Sequence, residues 1–154
     1  MRIIVLMLVI AVIIGAGVGI AVGFGGLFGK QTVPLPPCEL GMICVTAEQL
    51  CDDYFDSTIA ADYMYKGKII EVSGEVKDID NIYGAAYLTL DCGVFTYVDL
   101  VWCYFDLAHQ SKLVPIRVGD LVSVRGLCVG KPFHASIMDG VIQLVECTSV
   151  KLLN

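Results

Sequence analysis

Seven cysteines, two histidines and a group of aromatic side chains are the residues whose types could do chemistry in this chain. Cys38, Cys44, Cys51, Cys92, Cys103, Cys128 and Cys147 offer disulfide, free-thiol or metal chemistry. Cys38 and Cys44 flank a turn at Gly41, so they either bridge each other or leave one of the two to pair with Cys51. Cys92 and Cys103 lie on either side of a turn, and Cys128 and Cys147 fall on two strands that are plausible neighbours. Cross-strand bridges there, worth roughly 2–4 kcal/mol each, compete with free buried thiols. An odd count leaves at least one thiol unpaired or shared between chains. A four-cysteine zinc site favours short C-x₂₋₄-C pairs, which are missing, so no metal is expected. The adjacent acids Asp52 and Asp53 read as a solvated face.

Catalytic patterns are missing as well. His109 falls in a short helical connection and His134 in a loop, and neither has a Ser or Cys nearby in a nucleophile pattern. The glycines from Gly15 to Gly26 do not follow a strand as a phosphate loop must. There is no haem-attachment or C-x-x-C motif. The expectation is a protein without catalytic residues or cofactor, and not an enzyme.

Charge bears on nucleic acid, whose binding rests largely on Lys and Arg neutralising phosphates. The chain carries a formal net charge of −6. From Gly67 onward, seven bases (Lys68, Lys77, Lys112, Arg117, Arg125, Lys131, Lys151) face ten acids, and the bases are dispersed. Nucleic acid is therefore an unlikely partner on charge alone.

Two solvents shape the elements that carry these residues. The hydrophobic fraction is 56%, with the excess at the N-terminal end. Ile3 to Phe28 contains no charged residue, and about 20 apolar residues in a helix cross a bilayer core. Residues 1–29 are therefore predicted to be one transmembrane helix. The run is longer than a signal-peptide core, and Cys38, behind Pro36-Pro37, is a poor site for lipidation. Gly15, Gly19 and Gly23 recur every fourth residue along one helix face, a spacing that lets membrane helices associate closely. Self-association or partner membrane helices follow as an expectation. Arg2 before the run and only Lys30 after it point to a cytoplasmic N-terminus and a periplasmic or extracellular C-terminal domain. An oxidising location suits the cysteine count.

Residues 30–45 read as a Pro/Cys linker, because Pro34, Pro36 and Pro37 favour extended chain. Residues 46–154 form the predicted domain. It begins with helical sequence over 46–65, broken near Ser57-Thr58. Thr46 and Gln49 resemble a capping box, and Leu50, Tyr54 and Phe55 form a candidate packed stripe. From Gly67 the hydropathy period changes to two, predicting strands at about 67–79, 85–92, 97–105, 119–129 and 140–150, with a short helix at about 107–113. Ile70, Val72 and Val76 are inward candidates, and Gly74 marks a bulge or sharp bend.

Five strands with a helix between the third and fourth is the order of the OB-fold, a small Greek-key barrel. The residues agree with it. Ala60-Ala61-Asp62-Tyr63-Met64-Tyr65-Lys66-Gly67-Lys68, Glu71-Val72-Ser73-Gly74, Cys103-Tyr104-Phe105 and Val124-Arg125-Gly126-Leu127-Cys128 together resemble the tRNA_anti-like group of OB-fold proteins. The resemblance spans about residues 46–150 and implies a small OB domain, in a family often secreted or membrane-anchored. Nucleic-acid binding comes with the family name by analogy of fold.

OB-folds take ligands on their second and third strands. If Leu88, Leu90 and Cys92 point inward, then Tyr87, Thr89 and Asp91 point outward. On the next strand Val101, Cys103 and Phe105 go inward, leaving Trp102 and Tyr104 outside. Trp102 is a departure, since family members usually carry a polar residue there. Tyr87, Trp102 and Tyr104 are thus a candidate binding patch, with aromatics typical of interface hot spots; the competing expectation is that helix 46–65 packs over them. The functional expectation is a membrane-anchored, non-catalytic interaction module, a subunit or assembly component of a membrane complex. Two alternatives are an OB domain binding oligosaccharide, peptide or single-stranded nucleic acid, and a filament or pore subunit packed through the Gly-rich helix.

Overall fold

The computed structural model describes residue 33 and residues 38–82, 84–93, 100–132 and 141–153. The apolar segment with Gly15, Gly19 and Gly23, and most of the linker, lie outside the described residues, as does His134. Among the described residues no helix is long and apolar enough to cross a membrane.

Strand β1 (Ile43–Thr46) leads directly into helix α1 (Ala47–Asp56), and α2 (Thr58–Tyr65) follows after a break at Ser57. Each helix starts on a hydroxyl cap. Thr46 accepts a hydrogen bond from the Gln49 backbone N–H at 3.1 Å, and Ser57 accepts one from Ala60 at 3.3 Å. Such caps satisfy a first-turn donor that has no helical partner. Only half of the expected capping box forms, because the Gln49 side-chain amide donates to Asp53 at 2.9 Å instead of turning back to Thr46. The predicted stripe is also corrected. Leu50 and Tyr54 are buried, but Phe55 is 81% exposed.

Strands β2 (Ile69–Ile82), β3 (Ala85–Asp91), β4 (Leu100–Phe105), β5 (Leu121–Gly130) and β6 (Ile142–Leu152) make the barrel. A 3₁₀ turn, Gln110–Leu113, connects β4 to β5. The sheet order is β1-β2-β3-β4-β6-β5, and pairing of β2 with β5 closes it. Five strands thus form the closed, mainly β, OB-like barrel, preceded by helices. Strand β2 is long enough to serve two partners. Ile69–Glu75 pairs with β5, Val76–Ile82 pairs with β3, and the register shifts between Val76 and Asp78. The bulge therefore falls just past Gly74. Gly74 is needed for a different reason, a close approach: a Cβ there would sit 3.0 Å from the Ala47 Cβ and 3.2 Å from the Leu90 Cβ.

The linker reading of residues 30–45 is corrected at its end. Ile43–Thr46 is a strand, added in parallel to β2 with Cys44 opposite Glu71 and Val45 opposite Val72. Four residues with one buried side chain, Val45, give too little alternation to be recognised after a proline-rich stretch. Inside the barrel, Ile70, Val72, Val76, Leu88, Leu90, Val101, Phe105, Val122, Val124, Ile142 and Leu144 pack with α1 into one apolar core.

Of the cysteine alternatives, the Cys38–Cys44 bridge and free buried thiols are found, and the partnership of Cys51 with Cys92 is new. Cys38 and Cys44 do bridge each other, while Cys51 on α1 bridges Cys92 at the end of β3. Cys103, Cys128 and Cys147 are free and buried. Register explains why the cross-strand bridges fail. Cys103 lies opposite Leu88 and Cys128 opposite Leu144. Cys147 is tucked beneath Gly126, where a Cβ would come within 2.6 Å of its sulfur.

Candidate ligand face on the barrel exterior

The pleat of β3 and β4 divides their side chains between core and exterior. Leu88, Leu90, Val101, Cys103 and Phe105 enter the core. The opposite parity carries Tyr87 facing Tyr104, Thr89 facing Trp102 and Asp91 facing Leu100. Tyr87 and Trp102 stack with centroids 5.1 Å apart and planes at 13°; Tyr104 lies 5.9 Å from each. Diagonal neighbours on one sheet face come within reach when the side chains are aromatic. Tyr87 is 6% exposed, yet it belongs to no part of the core cluster. The Trp102 ring stacks on it, while the buried residues of helix 46–65 belong to the core cluster. Trp102 and Tyr104 are half-buried.

Two polar groups on this face are orphaned. The Thr89 hydroxyl, on a side chain 2% exposed, and the Trp102 indole N–H are buried without a hydrogen-bond partner. Buried donors and acceptors normally find partners; the Ser73 hydroxyl and the Arg125 Nε, on the other outer face, lack them too. Acids border the rings. Asp80 is opposite Tyr87 and Asp78 opposite Thr89, both exposed. Burial pushes the Tyr87 phenol up, and Asp78 and Asp80 push it further. Burial and then Tyr87 raise Tyr104 in the same direction.

The exterior of β2 and β5 is built differently. Glu71 is 3% exposed and accepts hydrogen bonds from the Ser123 hydroxyl and, at 3.3 Å, from Arg125. Arg125 also reaches Glu39 at 3.0 Å, inside the loop that the Cys38–Cys44 bridge closes. That hydrogen bond and the guanidinium charge hold the Glu39 carboxyl below its ordinary range. A groove of about 500 Å³ runs between this loop and Ile69, Arg125 and Glu146.

Other bases are also engaged locally. Lys68 donates to the Tyr63 and Met64 carbonyls, Lys112 to the Thr148 carbonyl and Arg117 to the Val114 and Ile116 carbonyls. Lys77 pairs with Asp91 at 3.2 Å, and the Lys131 ammonium lies 6.0 Å from the Tyr54 ring centroid. Asp106 accepts from the His109 backbone N–H at 2.9 Å and lies 2.7 Å from the His109 ring Nδ1, and these contacts lower the Asp106 carboxyl. Among the described residues no group of three or more His, Cys, Asp or Glu is arranged to hold a metal.

The stretches that carried the family resemblance turn out to be architectural. Ala61 is fully buried, and Asp62 accepts from the Tyr54 hydroxyl at 3.0 Å. Gly67 turns the chain at φ +74°, and Lys68 closes the α2 C-terminus. This cluster builds the junction from helix to barrel. Sequence reasoning found the three aromatic residues but missed Asp78, Asp80 and the Glu71–Arg125 pair. The signal for these was the register of β2, which the bulge hides.

Comparison with known proteins agrees with this architecture. No curated protein sequence matches the chain. A solved structure of a suspected nucleic acid-binding lipoprotein from Klebsiella pneumoniae subsp. pneumoniae MGH 78578 is similar with a TM-score of 0.50 at 18% identity, covering 73% of this chain and 92% of that one. The S. pombe Stn1–Ten1 complex is similar at 20% identity with a TM-score of 0.41 over 55% of this chain, which spans 57% of that chain's length. At 18% identity the likeness to the lipoprotein is one of fold. The tRNA_anti-like sequence profile matches residues 1–143, taking in the apolar segment and linker that the motif reading left outside. With its barrel, its preceding helices and this match over most of its length, the chain belongs to the tRNA_anti-like family.

Proposed function

We propose that this protein is a membrane-anchored, non-catalytic binding module, held by its N-terminal apolar segment with the barrel outside the cytoplasm, and that it engages its partner through Tyr87, Trp102 and Tyr104. One observation carries the reading: three aromatic rings in mutual contact, Tyr87 stacked on Trp102 and Tyr104 tilted against both, lie outside the core cluster on the strands where OB-folds take ligands, beside a buried hydroxyl and an indole N–H that have no partner. Aromatic side chains give much contact area at small entropic cost, which suits a binding surface. The uncharged run from Ile3 to Phe28 supports the anchor. Two disulfides support an oxidising compartment. The local engagement of the bases, together with the net acidity, weighs against a polyanion.

The test uses the full chain in its native membrane. After an alkaline wash the chain stays in the pellet, and chemical cross-linking gives one stoichiometric adduct that Trp102→Ala abolishes while leaving the chain folded and membrane-held. Release into the wash removes the anchor from the reading. An adduct of undiminished yield in Trp102→Ala removes the aromatic face.

A further inference from the structure

The ligand face has a charge that its fold class alone does not predict. On the outer strands that frame the aromatic stack (Val76–Ile82, Ala85–Asp91 and Leu100–Phe105), the sole base is Lys77, set against Asp78, Asp80 and Asp91. Lys77 is already paired with Asp91 at 3.2 Å. Asp78 and Asp80 have no basic partner among the described residues, and Asp80 accepts only from the Asn81 backbone N–H at 2.7 Å. Both lie across the register from the stack, Asp80 beside Tyr87 and Asp78 beside Thr89.

Rings and carboxylates together select one kind of charge. The face of Trp or Tyr attracts a cation through the ring quadrupole. Carboxylates take ammonium and guanidinium groups in charge-assisted hydrogen bonds. The same carboxylates repel phosphates. Geometry narrows the choice further. Asp78 and Asp80 are two residues apart on one strand face, about 7 Å, which is also the spacing of alternate side chains on an extended peptide. The Thr89 hydroxyl and Trp102 N–H lie buried beside these groups without a partner.

Resting on the binding reading above, we infer that the face formed by Tyr87, Trp102, Tyr104, Asp78 and Asp80 binds an extended, lysine- or arginine-rich peptide segment of a partner protein. Alternate basic side chains meet Asp78 and Asp80, while their neighbours lie across the rings. The segment approaches by long-range attraction, so salt weakens its capture.

Trp102 is the only tryptophan, so its emission reports on this face directly. The full chain in mild detergent is titrated with three probes: a short peptide alternating lysine and serine, the same peptide with glutamine for lysine, and oligo(dT). The lysine peptide alone shifts the emission, and added salt weakens it. Asp78→Asn with Asp80→Asn weakens binding roughly tenfold, the sum of two modest ion pairs. Tyr104→Ala, measured by the same emission, weakens it roughly thirtyfold, as expected of a hot-spot ring. If the glutamine peptide or oligo(dT) binds as tightly as the lysine peptide, the cationic assignment is overturned. If the Asp variants bind unchanged while Tyr104→Ala loses binding, the aromatic face survives and only the charge inference falls. If Tyr104→Ala binds unchanged, the aromatic face falls with it.

Discussion

Strand β2 presents two stretches of outer surface, and the chain treats them in opposite ways. Over its first half, Glu71 and Ser73 are buried, and Glu71 is answered by Ser123 and Arg125, the latter shared with Glu39 on the disulfide-closed loop. Over its second half, Asp78 and Asp80 stand exposed beside a buried tyrosine and have no basic partner among the described residues. A carboxylate taken out of water needs a counter-charge and hydrogen bonds; one left in water at the rim of an aromatic surface needs neither. The first surface answers its buried carboxylate from within the molecule, though the Ser73 hydroxyl and Arg125 Nε there have no partner. The second keeps its charge for something that arrives.

This contrast can be broken most forcefully at Arg125. Arg125→Ala leaves Glu71 buried with only Ser123 to serve it, and unfolding stability should fall by about 3 kcal/mol. The measurement is a shift of the urea midpoint at constant slope. Replacing the pair together, Glu71→Gln with Arg125→Met, should recover most of that loss, because no charge is then stranded. If the single and double variants are equally destabilised, packing and not charge holds this surface.

Next comes the loop. Opening the bridge with Cys38→Ser and Cys44→Ser frees a short ring, for which chain entropy gives about 2 kcal/mol. The loss should appear in the melting temperature, while peptide binding at the aromatic face stays as in the parent chain. Weakened binding in this variant would mean that the two surfaces are coupled. Smaller still is the effect of Trp102→Ala on stability, about 1 kcal/mol, the scale of a cross-strand aromatic pair and not of a core residue. A loss of several kcal/mol would make Trp102 part of the core and end the comparison.

Much of this architecture was legible before any coordinates. The change of period at Gly67 located the barrel, and the alternation of residue type in Tyr87–Asp91 and Val101–Phe105 assigned the two faces of β3 and β4, although burial along β3 runs unbroken from Ala86 to Leu90. The stacking of Tyr87 on Trp102 follows from that parity once the register pairs Thr89 with Trp102. Three things were not legible. Strand β1 is too short to show a period and owes its place to pairing with a distant strand. The Cys51–Cys92 bridge joins helix to strand, a juxtaposition fixed by packing and not by spacing. Asp78 and Asp80 looked like two more acids in a polar run, because the irregularity between Val76 and Asp78 resets the parity and only the paired register shows which side they take.

The same two surfaces should answer pH in opposite directions, which gives the finest test. Arg125 holds the Glu39 carboxyl low, so the stability it lends is present above the ordinary carboxylate range and is lost as acid carries the pH down through the lowered value. Burial first, then Asp78 and Asp80, hold the Tyr87 proton on, so its share is present below the ordinary tyrosine range and is lost as alkali carries the pH up through the raised value. Tyr54 and Tyr65 are raised too, mainly by burial, and add to the alkaline loss from the core side. Melts alone therefore cannot separate the contributions, but Trp102 can. A tyrosinate formed at Tyr87, 5.1 Å away, should quench its emission. The alkaline midpoint of that quenching should lie above the ordinary tyrosine value and fall when Asp78→Asn and Asp80→Asn are introduced, and in Tyr87→Phe only the share due to Tyr104, 5.9 Å from Trp102, should remain. The midpoint should remain above the ordinary value in the Asn variants, because burial is the larger cause. Glu39→Gln should remove its acid-side contribution and leave the alkaline midpoint in place. A midpoint indifferent to Asp78 and Asp80 would show that these carboxylates do not set the potential at the rings, and the aromatic face would then have no reason to prefer a cation.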